Sequence, residues 1–285
     1  MPVARHQQIH GIISTEAPTA TAATLDTIGL NDGSFIPPIG LGTWTMSNKD
    51  AQRAVEIALD VGYRLIDTAA SYANEEGVGQ AIRASGVPRG EIVVTTKLEG
   101  ADHGYEPTLR AFDASAKRLG LDMIDLYLIH WPLPEQDRYV GSWKAMVDLK
   151  QQGRVRSIGV SNFDAQQIEY ITDATGVGPV INQIELNPEH QQTRLRAVHD
   201  SKRIITEAWS PLGRGSVLAD PVIIAIAAKH ERTPAQIVLR WCMEHRIVAI
   251  PKSSEPRRIR ENLEVFDFSL DAGDLAAIAR LDRGE

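Results

Sequence analysis

One cysteine, Cys242, is all the thiol the chain possesses. An internal disulfide is therefore excluded, and so is a cysteine-built metal site. Lying in the apolar stretch IVLRWCMEHR, Cys242 is expected to be a small buried hydrophobe. No apolar run approaches the roughly 20 residues that span a bilayer, and no run of lysine or arginine occurs. With a formal charge of −7 the chain lacks the basic footprint of a nucleic-acid binder. Local basic clusters still permit small anionic ligands. The first residues lack the apolar core of a secretory signal. Rich in Ala and Thr, residues 1–25 are expected to be a poorly ordered extension, followed by a single domain over 26–285. These absences point to a protein of the reducing cytoplasm that meets neither nucleic acid nor membrane, and, with no exposed apolar stripe, to a monomer.

What is present is ordinary globular material, 43% hydrophobic and 24% charged, enough for one sizeable core. TIGLNDGSFIPPIG reads as a β-hairpin, because short apolar runs flank Asn31, Asp32 and Gly33, which tolerate positive φ. After it come eight short apolar segments: GLGTW, RLIDTA, EIVVTTKL, IDLYLIH, RSIGVSN, VINQIEL, RIITEAW and IVAIPKS. Helical stretches separate them; in KDAQRAVEIALDVG, Ala51, Val55, Ala58 and Leu59 recur at helical spacing. Gly62, Gly86, Gly120 and Gly153 each close a periodic stretch. Strands this apolar are covered on both faces, as in a parallel sheet inside a shell of helices. Such a series predicts an α/β fold, the (β/α)₈ TIM barrel, with the hairpin at its N-terminus. The open dinucleotide-binding sheet needs a glycine-rich turn after its first strand. Here Gly40-Leu41-Gly42 runs into Thr43, Trp44 and Thr45, so the third glycine is missing.

A barrel carries its chemistry at the C-terminal ends of its strands. Those ends supply Asp67 with Tyr72 shortly after it, Lys97, His130, Ser161 and Asn162, Gln183, Trp209 and Ser210, and Lys252 and Ser253. Singly, each has a plain structural alternative. His130 in LIHWP fits a hydrogen-bonded structural histidine, Asp67 a loop cap, and Lys97 a solvated strand end. As a set they suggest more. A lysine and a carboxylate on adjacent strands can pair, and an ammonium beside a phenol stabilises its anion. Tyrosine ionises near pH 10, too high for easy proton exchange at neutrality, and one partly desolvated cation can supply the roughly 3 kcal/mol that lowers it.

From about Thr27 to Leu281 the sequence resembles the aldo-keto reductase family. GYRLIDTAASYANEEGVG (Gly62–Gly79) matches the family's first signature, and TTKL, LIHWP, IGVSNF, NQIELNP, EAWSPLGRG and IPKSSEPRRIRENL follow in the family's order. The tryptophan in EAWSPLG is most like the bacterial branch that includes 2,5-diketo-D-gluconate reductase. The resemblance implies a catalytic tetrad of Asp67, Tyr72, Lys97 and His130. In it Tyr72 donates the proton, Lys97 paired with Asp67 depresses the Tyr72 pKa, and His130 orients the carbonyl. It implies no metal and NADPH as cofactor, with NADH less favoured. Thr43 and Trp44 are cofactor-binding positions. Ser161, Asn162 and Gln183 would hold the carboxamide, and Trp209 would stack on the nicotinamide. Ser210, Leu212 and Gly213-Arg214-Gly215 would follow the pyrophosphate, Lys252, Ser253 and Arg258 the 2′-phosphate, and Asn262 the adenine. Arg257 is read as a solvated helix residue. Trp44, Glu99 and Trp131 would line the substrate pocket, with Tyr105 on its rim.

Four departures qualify the match. Glu255 replaces a small hydroxyl residue near the expected 2′-phosphate, where a carboxylate either repels the phosphate or bonds a ribose hydroxyl. Glu99 stands where relatives have a pocket-walling tryptophan, which implies a wider, more polar pocket. Asn187 replaces the histidine of NQIELHP. The chain stops at LDRGE, where relatives continue with a tail over the active site, so the site is expected to be open or the chain cut short. The function expected is NADPH-dependent reduction of small aldehydes and ketones: dicarbonyls such as methylglyoxal, keto-sugars or aromatic aldehydes. A cofactor-binding regulatory or structural protein is the alternative from another class, disfavoured by the intact tetrad. A metal-dependent barrel hydrolase would need further ligands at the rim, whereas His190 and His199 fall in the loop and helix after the sixth strand.

Overall fold

The computed structural model describes residues 27–284. The extension expected over 1–25 lies outside the described residues. Strands β1 (Ile28–Gly29) and β2 (Phe35–Ile36) form the expected antiparallel hairpin, whose turn uses Gly33 at φ 87°. Eight strands then pair in parallel in chain order: β3 (Leu41–Gly42), β4 (Leu65–Asp67), β5 (Val93–Leu98), β6 (Ile124–Ile129), β7 (Val155–Ser161), β8 (Ile181–Glu185), β9 (Ile205–Trp209) and β10 (Val248–Ala249). The bridges Ile39–Ala249 and Gly42–Lys252 join the first strand region to the last and close the barrel. Each segment read as a strand in the sequence is one.

Around the barrel run α1 (Asn48–Val61), α2 (Glu75–Ala84), α3 (Tyr105–Leu119), α4 (Tyr139–Gln151), α5 (Ala165–Thr175), α6 (Thr193–Lys202), α7 (Pro221–His230), α8 (Pro234–Glu244), α9 (Pro256–Leu263) and α10 (Ala272–Ala279). Their limits follow local chemistry. The Ser47 side chain accepts from the Asp50 N–H to start α1, and left-handed Gly62 ends it. Ala51, Val55, Ala58 and Leu59 form its buried face. Among the described residues, no helix is long and apolar enough to cross a membrane.

Two apolar clusters result. One fills the space between strands and helices and includes the fully buried Cys242, whose thiol burial pushes up to about 12. The other fills the barrel with Leu65, Leu126, Leu128, Val180, Ile181 and Val248, and Ile36 of the hairpin packs into it. Ser34 bonds Ser157 and Asn31 bonds the Pro179 carbonyl, so the hairpin plugs the N-terminal end of the barrel. The opposite end is free for chemistry.

Helix α2 lies so close to its neighbours that side chains are excluded at two positions. A Cβ on Gly77 would overlap the Asn48 carbonyl oxygen, and one on Gly79 that of Leu119. Backbone atoms cannot yield as a flexible side chain can. Gly79→Ala is accordingly expected to lower the unfolding free energy by about 1–3 kcal/mol, read from the urea midpoint.

His199 ties α6 to the sheet. Asn182 Nδ2 donates to its Nε2 (3.0 Å), and its Nδ1–H faces Thr206 Oγ1 (2.8 Å). Burial, then the Arg196 charge, hold its pKa down at about 4. The unfolded chain thus takes up a proton first, near pH 6.5. Stability present above that pH is lost as pH falls toward 4, by about 3 kcal/mol for this group. His199→Gln should flatten the pH dependence of the urea midpoint over that window; an unchanged slope would show that other groups carry it.

Candidate active site

At the C-terminal end of the barrel the strand ends surround a cleft of about 370 Å³. Its deepest part is an ion pair. Lys97 Nζ, on β5, lies 2.6 Å from Asp67 Oδ1 on β4, and both side chains are essentially inaccessible to solvent. The same ammonium donates to the Thr68 carbonyl (3.0 Å) and to Tyr72 Oη (3.4 Å), so all three of its protons are used. Tyr72 stands on a 3₁₀ turn, Ala70–Tyr72, closed by left-handed Ala73 at φ 54°. His130 follows β6, with Nδ1 3.3 Å from Ser71 Oγ and its ring 5.7 Å edge-on to that of Tyr72. The four residues expected to act together are therefore in one cluster.

Its electrostatics differ from expectation in one respect. Burial pushes the Tyr72 phenol up, Lys97 pulls it down, and Asp67 and Glu207 push it up again; the net direction is upward. The expected depression by Lys97 is present but outweighed, because the phenol is largely desolvated and the lysine is already matched by Asp67. For Lys97, burial works against the charge, yet Asp67, Tyr72 and Glu207 outweigh it and raise the pKa. Burial and the Lys97 charge hold His130 down at about 3, so the imidazole is neutral.

The remaining expected residues divide by position. Trp44, Trp131, Ser161, Asn162, Gln183, Trp209, Ser210 and Lys252 line the cleft. The backbone there is bent to suit, with Asn162 at φ 63° and Ser210 at φ 50°, conformations uncommon outside glycine and concentrated at functional sites. The Asn162 amide donates to the His130 carbonyl and to Ser161 Oγ, and its oxygen accepts from Trp209 Nε1 (2.9 Å), fixing the indole. Arg214 also lines the cleft and stacks on Trp44, 5.5 Å from the ring centre. Leu212 packs on the core beside Gly213.

Thr43 lies under the cleft wall, fully buried, bonding the Asp67 carbonyl. Ser253 Oγ accepts from the Glu255 N–H at the start of α9. On that helix Arg257 and Arg258 are exposed and Asn262 is buried. Two residues expected at the substrate pocket are not among those that line this cleft. Glu99, between β5 and a 3₁₀ turn over Gly100–Asp102, has its Oε2 buried without a partner. Tyr105 is also absent from the lining, since it opens α3 and its hydroxyl bonds Asp148. Asn187 lies away from the cleft, its Oδ1 accepting from the Glu189 N–H.

Two residues of the site escaped the sequence reading. Asn74 donates to the Thr43 and Met46 carbonyls and accepts from Thr68 Oγ1, anchoring the turn that holds Tyr72. Just ahead of α2 it looks like a helix cap, although its side chain makes no cap bond. Glu207 is buried inside the barrel, 3.1 Å from Gln183 Nε2. A lone acid inside the apolar strand β9 was the available signal.

The Aldo/keto reductase family profile matches residues 38–283. An aldo-keto reductase of Mycolicibacterium smegmatis is 53% identical over 258 residues, 90% of this chain and 94% of that protein. The methylglyoxal reductase DkgA of Escherichia coli is 50% identical over 260 residues, again 90% and 94% of the two chains. Among solved structures, an aldo/keto reductase from Brucella melitensis superposes with a TM-score of 0.88 at 53% identity, covering 91% of this chain and 100% of that one. A variant of Gox0644 in complex with NADPH gives 0.88 at 50% identity, covering 91% and 94%. With the barrel and the cluster of Asp67, Tyr72, Lys97 and His130 already in hand, these similarities leave one assignment: the chain belongs to the aldo/keto reductase family.

Proposed function

We propose that this protein reduces small aldehydes and ketones with NADPH, Tyr72 delivering the proton. The observation that carries the reading is the Lys97 ammonium, held 2.6 Å from Asp67 and 3.4 Å from the Tyr72 hydroxyl at the bottom of an open cleft. The NADPH complex of Gox0644 and the methylglyoxal reductase name of the Escherichia coli relative support the cofactor and a dicarbonyl substrate.

The residues fit the cofactor. A flat indole, Trp209, is fixed by its bond to the Asn162 amide oxygen, and Gln183 and the cation of Lys252 lie on the same cleft. On this reading Trp209 carries the nicotinamide, and Ser161, Asn162 and Gln183 its carboxamide. Ser210, Leu212, Gly213 and Arg214 follow the pyrophosphate. Lys252, Ser253 and Arg258 hold the 2′-phosphate, where a fork and a point charge suit a dianion, and Asn262 meets the adenine. Thr43 supports this wall from beneath. When bound, NADPH supplies the hydride. Tyr72 gives its proton to the carbonyl oxygen as charge develops there. Lys97 stabilises the phenolate left behind. His130, neutral, offers an N–H to the same oxygen. Trp44 and Trp131, about half exposed, flank the substrate. The lone buried cysteine accords with action in the reducing cytoplasm, and the protein is read as a monomer.

Tyr72→Phe should lower kcat for methylglyoxal reduction by about 10²–10⁴ while NADPH still binds, as followed by quenching of protein fluorescence. Retained turnover would remove Tyr72 as the acid. Arg258→Ala should raise the KM for NADPH about tenfold, the effect of one lost charged bond, and leave that for NADH unchanged. Equal effects on both cofactors would place Arg258 elsewhere than at the 2′-phosphate.

A further inference from the structure

Among the described residues, Glu207 is the buried acid of the barrel interior that the proposed chemistry leaves without a task. Its side chain is inaccessible to solvent, Oε2 accepts from Gln183 Nε2 at 3.1 Å, and Oε1 has no partner. The other proton of Gln183 Nε2 goes to Asp67 Oδ2 at 2.9 Å. An ionised Asp67 only accepts, so the group of Gln183 facing it must be the NH₂. Both N–H groups being engaged inside the barrel, the carbonyl oxygen of Gln183 is what remains for the cleft.

We propose that Glu207 is a positioning residue: with Asp67 it clamps the Gln183 amide so that its carbonyl oxygen faces the cleft as acceptor for the carboxamide N–H of a nicotinamide. This rests on the NADPH reading above. The charge of Glu207 matters as well as its shape. Its titratable and charged neighbours are Asp67 on β4 and Lys97 on β5, with Tyr72 beyond them; Gln183 on β8 is neutral, and Val248 beside it on β10 is apolar. Lys97 is already committed to Asp67, so no cation is left to match a second anion. Burial and then Asp67 push the Glu207 carboxyl up to about 8, and it is the neutral acid at pH 7. Above that pH the barrel gains a negative charge beneath the Gln183 amide.

The oxidised nicotinamide ring is positively charged and the reduced ring is neutral, the molecules being otherwise alike. The ratio of NADP⁺ to NADPH affinity therefore reports charge near the ring, and ionisation of the 2′-phosphate cancels. Tyr72 and Lys97 are raised above their ordinary values and His130 is held at about 3, so none of them titrates in the same window.

The test is a fluorescence titration of both cofactors between pH 6.5 and 9.5 on the natural protein, Glu207→Gln and Glu207→Leu. For the natural protein the ratio should shift toward NADP⁺ as pH rises through about 8, by about tenfold, the effect of one charge–charge interaction of roughly 1.4 kcal/mol. Glu207→Gln keeps an acceptor for Gln183 but no charge. Its ratio should be flat, with NADPH affinity at pH 7 within about twofold of natural. Glu207→Leu frees one edge of the amide and should bind NADPH about tenfold more weakly, with circular dichroism confirming the fold. An undiminished shift in Glu207→Gln, or natural affinity in Glu207→Leu, overturns the proposal. If Glu207→Leu does not fold, the isosteric comparison decides alone. A natural protein that binds both cofactors, with Glu207→Leu binding NADPH as tightly, overturns the clamp and leaves the reductase reading intact; one that binds neither overturns both.

Discussion

The buried pair of Lys97 and Asp67 is the constraint around which the rest of the site is arranged. Two charges withdrawn from water repay their desolvation only with close geometry and full hydrogen bonding, and losing one partner costs about 3–5 kcal/mol. Here β4 and β5 are neighbours, so their adjacent ends bring the two groups within 2.6 Å. Everything next to the pair is obliged to complete it: the Thr68 carbonyl and Tyr72 hydroxyl take the other ammonium protons, and Gln183 takes the second carboxylate oxygen. Tyr72 and Gln183 thus come to be where they are partly because a buried salt bridge requires them.

A second layer keeps that arrangement rigid. Asn74 braces the turn under Tyr72, and Asn162 links His130, Ser161 and Trp209 in one network. Such satisfied polar networks fix side chains that would otherwise sample several rotamers. The left-handed residues Asn162 and Ser210 stand where strands β7 and β9 turn into their loops, so backbone strain is borne at the rim and not in the barrel wall.

The architecture was readable because short, continuously apolar strand segments and helix stops are local signals. GLGTW through IVAIPKS each became a strand, and Gly62 and Gly120 ended helices as read. The grouping of Asp67, Tyr72, Lys97 and His130 was readable from the family resemblance, while position along the strands alone suggested Asp67, Lys97 and His130 at the rim, with Tyr72 on the turn after β4. Three things were not. The upward direction of the Tyr72 pKa depends on burial first and then on Asp67, with Glu207, more than a hundred positions away in sequence, adding to it. Glu99 and Tyr105 depend on how the segment after β5 leaves the rim, which family register does not determine. Asn74 resembled a helix cap, and only the path of the loop after β3 shows that its amide reaches backward.

The hairpin at the far end bears on traffic as well as on packing. With Ile36 stoppering the base of the barrel, Asp67 and Tyr72 meet bulk water at the cleft on the opposite end. On the proposed chemistry, a proton leaving Tyr72 is replaced by way of the same mouth that admits the carbonyl and releases the alcohol. Reloading of the acid and emptying of the cleft are then successive uses of one passage.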